Sequence, residues 1–361
     1  MILRTLCILI VIILCSCAEP HENNKDSIVS DSLSIILREW KEWSERTDEG
    51  LWEDDSEHKV TLEMLQVYGG SEAIDPPFYY IESFAVKGDT IFVSDRSTER
   101  LVAFDLDNQV LWTTEGFGEG PGHFSGISQL DVYNDVIAVA NMGNGRVDIF
   151  STDGKWSQSI QVISPYDLEI LNDSVLIVVK QTSPEGCVML LNMNGDTLST
   201  FGAWEDHLEG FSANRDLHCT MVDSEHLVIN SYYTNRMEIY SLYTNCMISS
   251  FNRTLPVEIP EPQSENGMIS LNTFLLDIFI GPEGMINVLL RPFTPDKSID
   301  TMTEDIVNLS IVDRFNHQGQ YLDSYVIPVS TSQVIYSNGI LYAGSALECA
   351  IYSFNVMIGE R

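Results

Sequence analysis

The sequence predicts an all-β protein, a six-bladed β-propeller of four-stranded blades whose last blade is closed by a strand from the N-terminal side. Three observations carry this expectation. From Val60 onward helical periodicity is absent, and short apolar runs alternate with Gly, Asn, Asp and Pro, the pattern of half-buried strands joined by turns. Six pairs of such runs can be laid over one another, and their leading residues Ile91, Ile137, Val175, Leu227, Ile286 and Ile340 recur at intervals of 38 to 59 residues, around the period of a four-stranded blade. No linker interrupts residues 60–358, which favours one ring over two domains. A β-sandwich shares the alternation but not six units of matching internal order.

In chain order, residues 1–16 come first. Met1–Arg4 carries one positive charge, and Leu6–Cys15 is an unbroken apolar run of ten residues, too short to span a bilayer and right for a signal peptide. It ends in Leu14-Cys15-Ser16-Cys17, which resembles the lipobox of bacterial lipoproteins. The resemblance implies acylation of Cys17 and stable attachment, because several acyl chains hold where one does not. The body is then expected at the bacterial cell envelope, on the periplasmic face or the cell surface. Residues 17–31 read as a polar, acidic stalk. Leu33, Ile36, Leu37, Trp40 and Trp43 recur at helical spacing, predicting a short amphipathic helix over 32–46. Its polar face is mixed rather than basic, which favours packing on the body over lying on the membrane. Residues 47–59 form a connector.

Charge bounds the partners. The chain holds 53 Asp and Glu against 19 Lys and Arg, a formal net charge of −34, and removing residues 1–16 takes away Arg4 and no acid. Such a field repels phosphate backbones, and no Lys/Arg run is present, which excludes nucleic acid as a partner. Outside the signal, Cys187, Cys219, Cys246 and Cys349 would permit two disulfides in an oxidising compartment. Each falls inside an apolar strand-like run, where a thiol behaves as a small hydrophobe, and free buried thiols are the expectation.

Within the body every unit repeats one grammar. An apolar stretch opens each unit: Ile81–Val86, Ile127–Val132, Leu168–Leu171, Cys219–Val222, Ile278–Ile280 and Val334–Tyr336. The paired runs follow, and turns such as Asp153-Gly154 and Asn194-Gly195 supply the positive φ that tight hairpins need. The sixth unit runs out at Ile358, one strand short. Val60–Val67 is an alternating apolar run upstream of the first blade, and is expected to complete the last one, since a closed ring leaves no exposed edge.

Gly116-Phe117-Gly118-Glu119-Gly120-Pro121-Gly122-His123-Phe124, followed by Asn144-Gly145-Arg146-Val147-Asp148-Ile149-Phe150, resembles an NHL-type repeat. With the lipobox, residues 60–358 are similar to the six-bladed NHL- or TolB-like propeller lipoproteins of the Bacteroidota. Only the second unit matches the repeat motif strongly. The resemblance implies fold and location, not an activity. One detail supports the register independently: Asp95 and Arg100, Asn141 and Arg146, and Ser231 and Arg236 each flank the turn between second and third strands at the same separation. Recurrence at one structural position assigns these arginines to carbonyls or carboxylates that close the blade.

Two functional readings follow. Blade-to-blade connections and second-to-third-strand loops must emerge on the same face, because strands alternate direction. That face receives the long segments Gly116–Gly126, Gly202–Leu217, Asn252–Phe274 and Arg291–Ile306, and long loops on a rigid scaffold carry function. Trp204, Phe211, Phe293, Arg253 and Arg291 are the candidate ligand-binding residues, for an envelope protein or a glycan, with no cofactor. The alternative rests on a resemblance to lactonase-like propellers, which hold calcium in the central channel. It implies a calcium-dependent lactonase or hydrolase using Glu82, Gln129, Asp167, Glu169, His218 and Asp277 of the opening strands. The seven histidines show no metal-ligand spacing, and no Gly-x-Ser-x-Gly elbow is present. A binding or scaffolding module is the primary reading.

Overall fold

The computed structural model describes residues 60–70, 77–180, 186–202, 217–232, 235–252, 263–265, 268–270, 275–290, 310–346 and 348–359. Cys17, the stalk, the amphipathic segment and the connector lie outside the described residues. Strand β1 is Val60–Gly69. Blade 1 comprises β2 (Ile81–Lys87), β3 (Thr90–Asp95), β4 (Arg100–Asp105) and β5 (Val110–Thr113). Blade 2 comprises β6 (Ile127–Tyr133), β7 (Val136–Asn141), β8 (Arg146–Ser151) and β9 (Trp156–Gln161). Blade 3 comprises β10 (Pro165–Asn172), β11 (Val175–Lys180), β12 (Val188–Asn192) and β13 (Thr197–Phe201). Blade 4 comprises β14 (Leu217–Met221), β15 (His226–Ser231), β16 (Arg236–Ser241) and β17 (Cys246–Asn252). A hairpin of β18 (Gln263–Glu265) and β19 (Met268–Ser270) precedes blade 5, which comprises β20 (Leu275–Ile280), β21 (Ile286–Leu290), β22 (Ser310–Phe315) and β23 (Tyr321–Ile327). Blade 6 is β24 (Gln333–Ser337), β25 (Ile340–Ser345), β26 (Ala350–Ile358) and, outermost, β1.

Ring closure follows the sequence expectation. Strand β1 pairs antiparallel with β26, from Val60 opposite Ile358 to Gly69 opposite Ala350. The strand serves two neighbours at once. Val60 joins a buried cluster with Phe279, Leu289 and Tyr325 of blade 5, while Tyr68 joins one with Phe78, Phe84 and Phe104 of blade 1. Three further seams are filled in the same way, by Phe92, Leu130 and Phe150 between blades 1 and 2, by Ile149 and Leu176 between 2 and 3, and by Val179 and Tyr240 between 3 and 4. Each sheet is therefore apolar on both faces, which is why the middle strands read as continuous runs.

The turns follow from residue chemistry. Asn338 and Gly339 both take positive φ, 52° and 85°, as a two-residue hairpin turn requires. Gly154 has a second reason to be glycine. At φ +83° a Cβ there would come within 2.6 Å of the Trp112 ring, whose Nε1 donates to Thr152 O at 2.9 Å. Trp112 thus packs across the seam between blades 1 and 2, while Trp156 is exposed on β9 and Trp204 lies outside the described residues.

The cysteine expectation is corrected in part. The four cysteines are free, and Cys187 and Cys219 are buried, but Cys246 is exposed and Cys349 is only half-buried. Cys246 opens β17, an outer strand whose first three residues face solvent, so strand membership alone does not bury a side chain.

Strand direction defines two faces. Each inner strand starts on the upper face, where the blade-to-blade connections and second-to-third-strand loops emerge, and ends on the lower face among short turns. Because β1 runs opposite to β26, Val60 lies on the lower face and Gly69 on the upper, where Gly70 N–H donates to Cys349 O at 2.8 Å.

Candidate functional site

The six inner strands surround a central cavity of about 290 Å³, lined by residues of β2, β6, β10, β14, β20 and β24. Gln129, Asp167, Glu169, His218 and Asp277, expected from sequence to converge on the axis, do line it, together with Asp131 and Gln333. Glu82 does not. It stands near the start of β2 and pairs with Arg96 at 3.1 Å.

In blades 1, 2, 3 and 5 the register shifts near the start of the inner strand. Such a bulge re-aims the side chains beside it, and here they reach the next blade. Asp131 Oδ2 of blade 2 accepts from Ile170 N–H of blade 3 at 2.7 Å. Asp167 Oδ2 of blade 3 accepts from Cys219 N–H of blade 4 at 2.9 Å. Asp277 Oδ2 of blade 5 accepts from Val334 N–H of blade 6 at 2.7 Å. Gln333 Oε1 of blade 6 accepts from Phe84 N–H of blade 1 at 2.8 Å, and Ser83 Oγ of blade 1 accepts from Leu130 N–H of blade 2 at 3.2 Å. In all five, a side-chain oxygen of one blade takes a backbone N–H of the next. At the seam between blades 4 and 5 stands His218, its Nδ1 3.4 Å from Asp167 Oδ2 and 3.9 Å from Asp277 Oδ1. Its Nε2 bonds the hydroxyl of Tyr232. Gln129 meets Gln333 across the channel at 3.4 Å.

These acids carry a cost set by their surroundings. Burial pushes the Asp277 carboxyl up to about 7, against the pull of His218 and the two amides it accepts. Burial also raises Asp131. Glu169 is raised well above the usual carboxylate range, first by burial and then by the charges of Asp131 and Asp167, despite its bonds to Thr220 and to Met221 N–H. The Cys219 thiol is pushed up by the same burial and the same acids, which keeps it protonated and unreactive.

The calcium reading asks these side chains to converge on one ion. They do not fit it: among the described residues no group of three or more His, Cys, Asp and Glu side chains is arranged to hold a metal ion. Asp131, Asp167 and Asp277 each spend both oxygens on backbone N–H groups, whereas Ca²⁺ requires six to eight oxygens closed around it.

The upper face holds a second set of features. The recurrent arginines act as the sequence suggests: Arg146 donates to the carbonyls of Glu119, Gly120 and His123 at 2.9, 2.7 and 2.9 Å and pairs with Asp148 at 3.0 Å. Arg100 donates to Pro77 O at 2.6 Å and pairs with Asp95 at 3.3 Å, and Arg236 pairs with Glu238 at 2.9 Å. Asn141 and Asp95, directly opposite Arg146 and Arg100, accept the N–H groups of Ser125 and of Tyr79 and Tyr80. The glycine-rich loop is thereby held, yet Phe117, bridged to Phe124 within it, is 76% exposed and flanked by exposed Glu115 and Glu119. Ile163, Tyr79 and Tyr80 are exposed in the adjoining connections. Trp204, Phe211, Arg253, Arg291 and Phe293 lie outside the described residues. Sequence reasoning passed over Phe117, which stood inside the quoted repeat motif, and Asp131, two residues beyond Gln129 in one inner strand.

Comparison with known proteins supports the fold. A member of the DUF4221 family from Bacteroides vulgatus superposes with a TM-score of 0.58 at 11% identity, covering 84% of this chain and 100% of that one. An exported protein from Bacteroides fragilis gives 0.56 at 11%, covering 86% and 98%. A streptogramin B lyase gives 0.51 at 12%, covering 84% and 100%. At these identities the likeness is one of architecture, a six-bladed propeller with neighbours among Bacteroides proteins. No family model matches the sequence, and no curated protein matches it.

Proposed function

We propose that this chain is an exported, lipid-anchored binding module that engages an envelope protein or glycan through its upper face. The observation that supports this most directly is the loop of residues 116–124. Three hydrogen bonds from Arg146 fix it, and it projects a large apolar side chain, Phe117, into solvent. A rigid, exposed aromatic has the signature of a binding anchor, because ordering it on contact costs little further entropy.

Direction supports the same reading. The segment that carries Cys17 enters the body at Val60 on the lower face, so its point of entry leaves the upper face clear for a partner. The channel is spoken for in part, since its carboxylates close the ring. The flanking acids and the formal charge of −34 favour a partner surface rimmed by basic or neutral groups over a polyanion.

The test is a photo-crosslinking amino acid at position 117 and, separately, at Asn338 on the lower face, in cells carrying the native envelope. A discrete crosslink at 117 that is absent at 338 and weakened by Arg146→Ala supports the reading. Equal or absent crosslinking at both positions overturns it.

A further inference from the structure

We infer that residues 32–46 of this chain dock on an apolar stripe that the outer edge of blade 6 leaves uncovered. The stripe follows from the register of β1 on β26. Val60, Leu62, Met64 and, beyond the bulge, Val67 stand opposite Ile358, Val356, Phe354 and Tyr352. Cross-strand partners share a face, so all eight belong to one side of the sheet, and all eight are apolar. Thr61, Glu63 and Gln66 belong to the other side, where Gln66 Nε2 donates to Leu106 O of blade 1 at 2.8 Å.

Blade 5 covers only part of the apolar side. Val60 and Phe354 are buried with Phe279 and Tyr325, and Leu62, Tyr352 and Val356 pack partly against them. Met64, Val67 and Ile358 are exposed, as is Leu65, the extra residue of the bulge. The outermost strands of the other blades differ. Among the described residues β5, β9 and β13 each expose one large apolar side chain, β17 exposes two and β23 none, against three on β1. A clustered apolar patch of this kind marks an interaction surface, where scattered single residues do not.

Charge and length select the occupant. A second copy would bring a formal charge of −34 against −34, and such fields repel. Residues 32–46 are neutral by contrast, with Arg38, Lys41 and Arg46 balancing Glu39, Glu42 and Glu45. Their apolar positions Leu33, Ile36, Leu37, Trp40 and Trp43 recur at helical spacing, and a helix of that length spans about 22 Å. Val60 to Val67 covers about 23 Å of strand. The segment is also linked to the stripe's own end. Residues 47–59 lead directly into Val60 and reach at most about 45 Å when extended, enough to double back along β1. So short a link holds the segment at an effective concentration of about millimolar order. Residues 47–59 carry six acids against one lysine and are themselves poorly suited to an apolar stripe. The inference is independent of the upper-face reading.

The test places an aliphatic diazirine amino acid at Met64, at Leu65 and, as comparator, at Leu198, which is exposed on the outermost strand of blade 3. Each full chain is photolysed in cells carrying the native envelope, and the products are digested and identified by mass spectrometry. The expected result is a crosslink from position 64 or 65 to a peptide of residues 32–46 within one chain, absent at 198. The paired substitution Trp40→Ser and Trp43→Ser lowers its yield by roughly tenfold or more, and a thermal melt checks that the body remains folded. No crosslink to residues 32–46 from either position, crosslinks to lipid alone or between two chains, equal yield at 198, or a yield unchanged by the paired substitution overturns the assignment.

Discussion

The carboxylate of Asp277 in blade 5 accepts Val334 N–H of blade 6 at 2.7 Å, while its other oxygen accepts Ile278 N–H at 2.9 Å. One side chain thus stitches two inner strands that sequence places well apart. Asp131, Asp167, Gln333 and Ser83 repeat the link around the ring. Blade sheets bond internally through their backbones and meet one another mostly through apolar contacts, which have little directional preference. The side-chain links supply the direction, fixing the height of each blade against the next.

Replacing Asp277 therefore separates two effects. Asp277→Ala leaves two buried N–H groups unsatisfied and is expected to lower unfolding free energy by roughly 2–4 kcal/mol. Asp277→Asn keeps one acceptor and is expected to cost less than half as much. Denaturant unfolding of both variants at neutral pH checks this; equal losses would show that charge, not hydrogen bonding, is what Asp277 contributes.

The same residue predicts a pH dependence. Its folded value of about 7 lies above the ordinary 3.8, so the folded state binds more protons than the unfolded state between those values. Stability linked to Asp277 is full below about pH 4 and is lost as pH rises through 7. His218 and Asp167 face it, the first lowering and the second raising its carboxyl. The difference in unfolding free energy between wild type and Asp277→Asn should fall steadily as pH is raised from 4 to 7 and level off above. A flat difference contradicts the assignment, and comparing the two proteins removes the background from the chain's overall negative charge.

Strand β1 offers a test of closure. Tyr68 is buried against blade 1 and Val60 against blade 5. Tyr68→Ala is expected to cost about 3–5 kcal/mol, as for other large core aromatics. Deleting residues 60–69 removes an entire strand and exposes the edge of β26, so the cooperative thermal transition should broaden or vanish and aggregation should rise. Calorimetry with light scattering distinguishes this from simple truncation of a loose terminus, which would leave the transition sharp.

Much of this was legible in the residues. The blade count, the order of strands and the closing role of Val60–Val67 could be read because both faces of each sheet are buried, so apolar runs and Asp-Gly or Asn-Gly turns mark every strand. The recurrent Arg100 and Arg146 were legible as structural for the same reason: repetition at one turn. The use of Asp167 and Asp277 was not. Their convergence on the axis could be read, but a carboxylate that takes a neighbouring blade's amide looks in sequence like a metal ligand. The difference lies in a bulge that turns the side chain, and bulges leave no reliable trace in composition. Cys246 misled for a related reason, since an outer strand can alternate like an inner one and still face water.

Arg146 links blade closure to the upper face. Its removal frees three carbonyls of residues 119–123 and leaves Asp148 and Asn141 without a cationic neighbour. Arg146→Ala is expected to speed amide hydrogen exchange across residues 117–124 by tenfold or more while leaving the inner strands protected. Arg146→Lys should rescue little, because one ammonium cannot reproduce the planar fork that reaches three carbonyls. Unchanged exchange in the loop would mean that its own turns, not the arginine, hold it.

Anchoring gives the last prediction. If Cys17 carries the acyl chains, Cys17→Ser abolishes fatty-acid labelling and moves the protein from the membrane fraction to the soluble one. The thermal transition of the body should not change, because among the described residues the ring is closed by β1 on β26 and by its packing on blades 5 and 1. The same variant also tests orientation. With the tether leaving from the lower face, limited proteolysis of the anchored protein should cut upper-face loops as readily as it does in the released form, while the lower-face turn at Thr244 and Asn245 becomes accessible only on release. Unchanged partitioning of Cys17→Ser overturns the lipobox resemblance and passes the anchoring role to residues 32–46, whose apolar positions at helical spacing are the other membrane-compatible feature of the segment before the body.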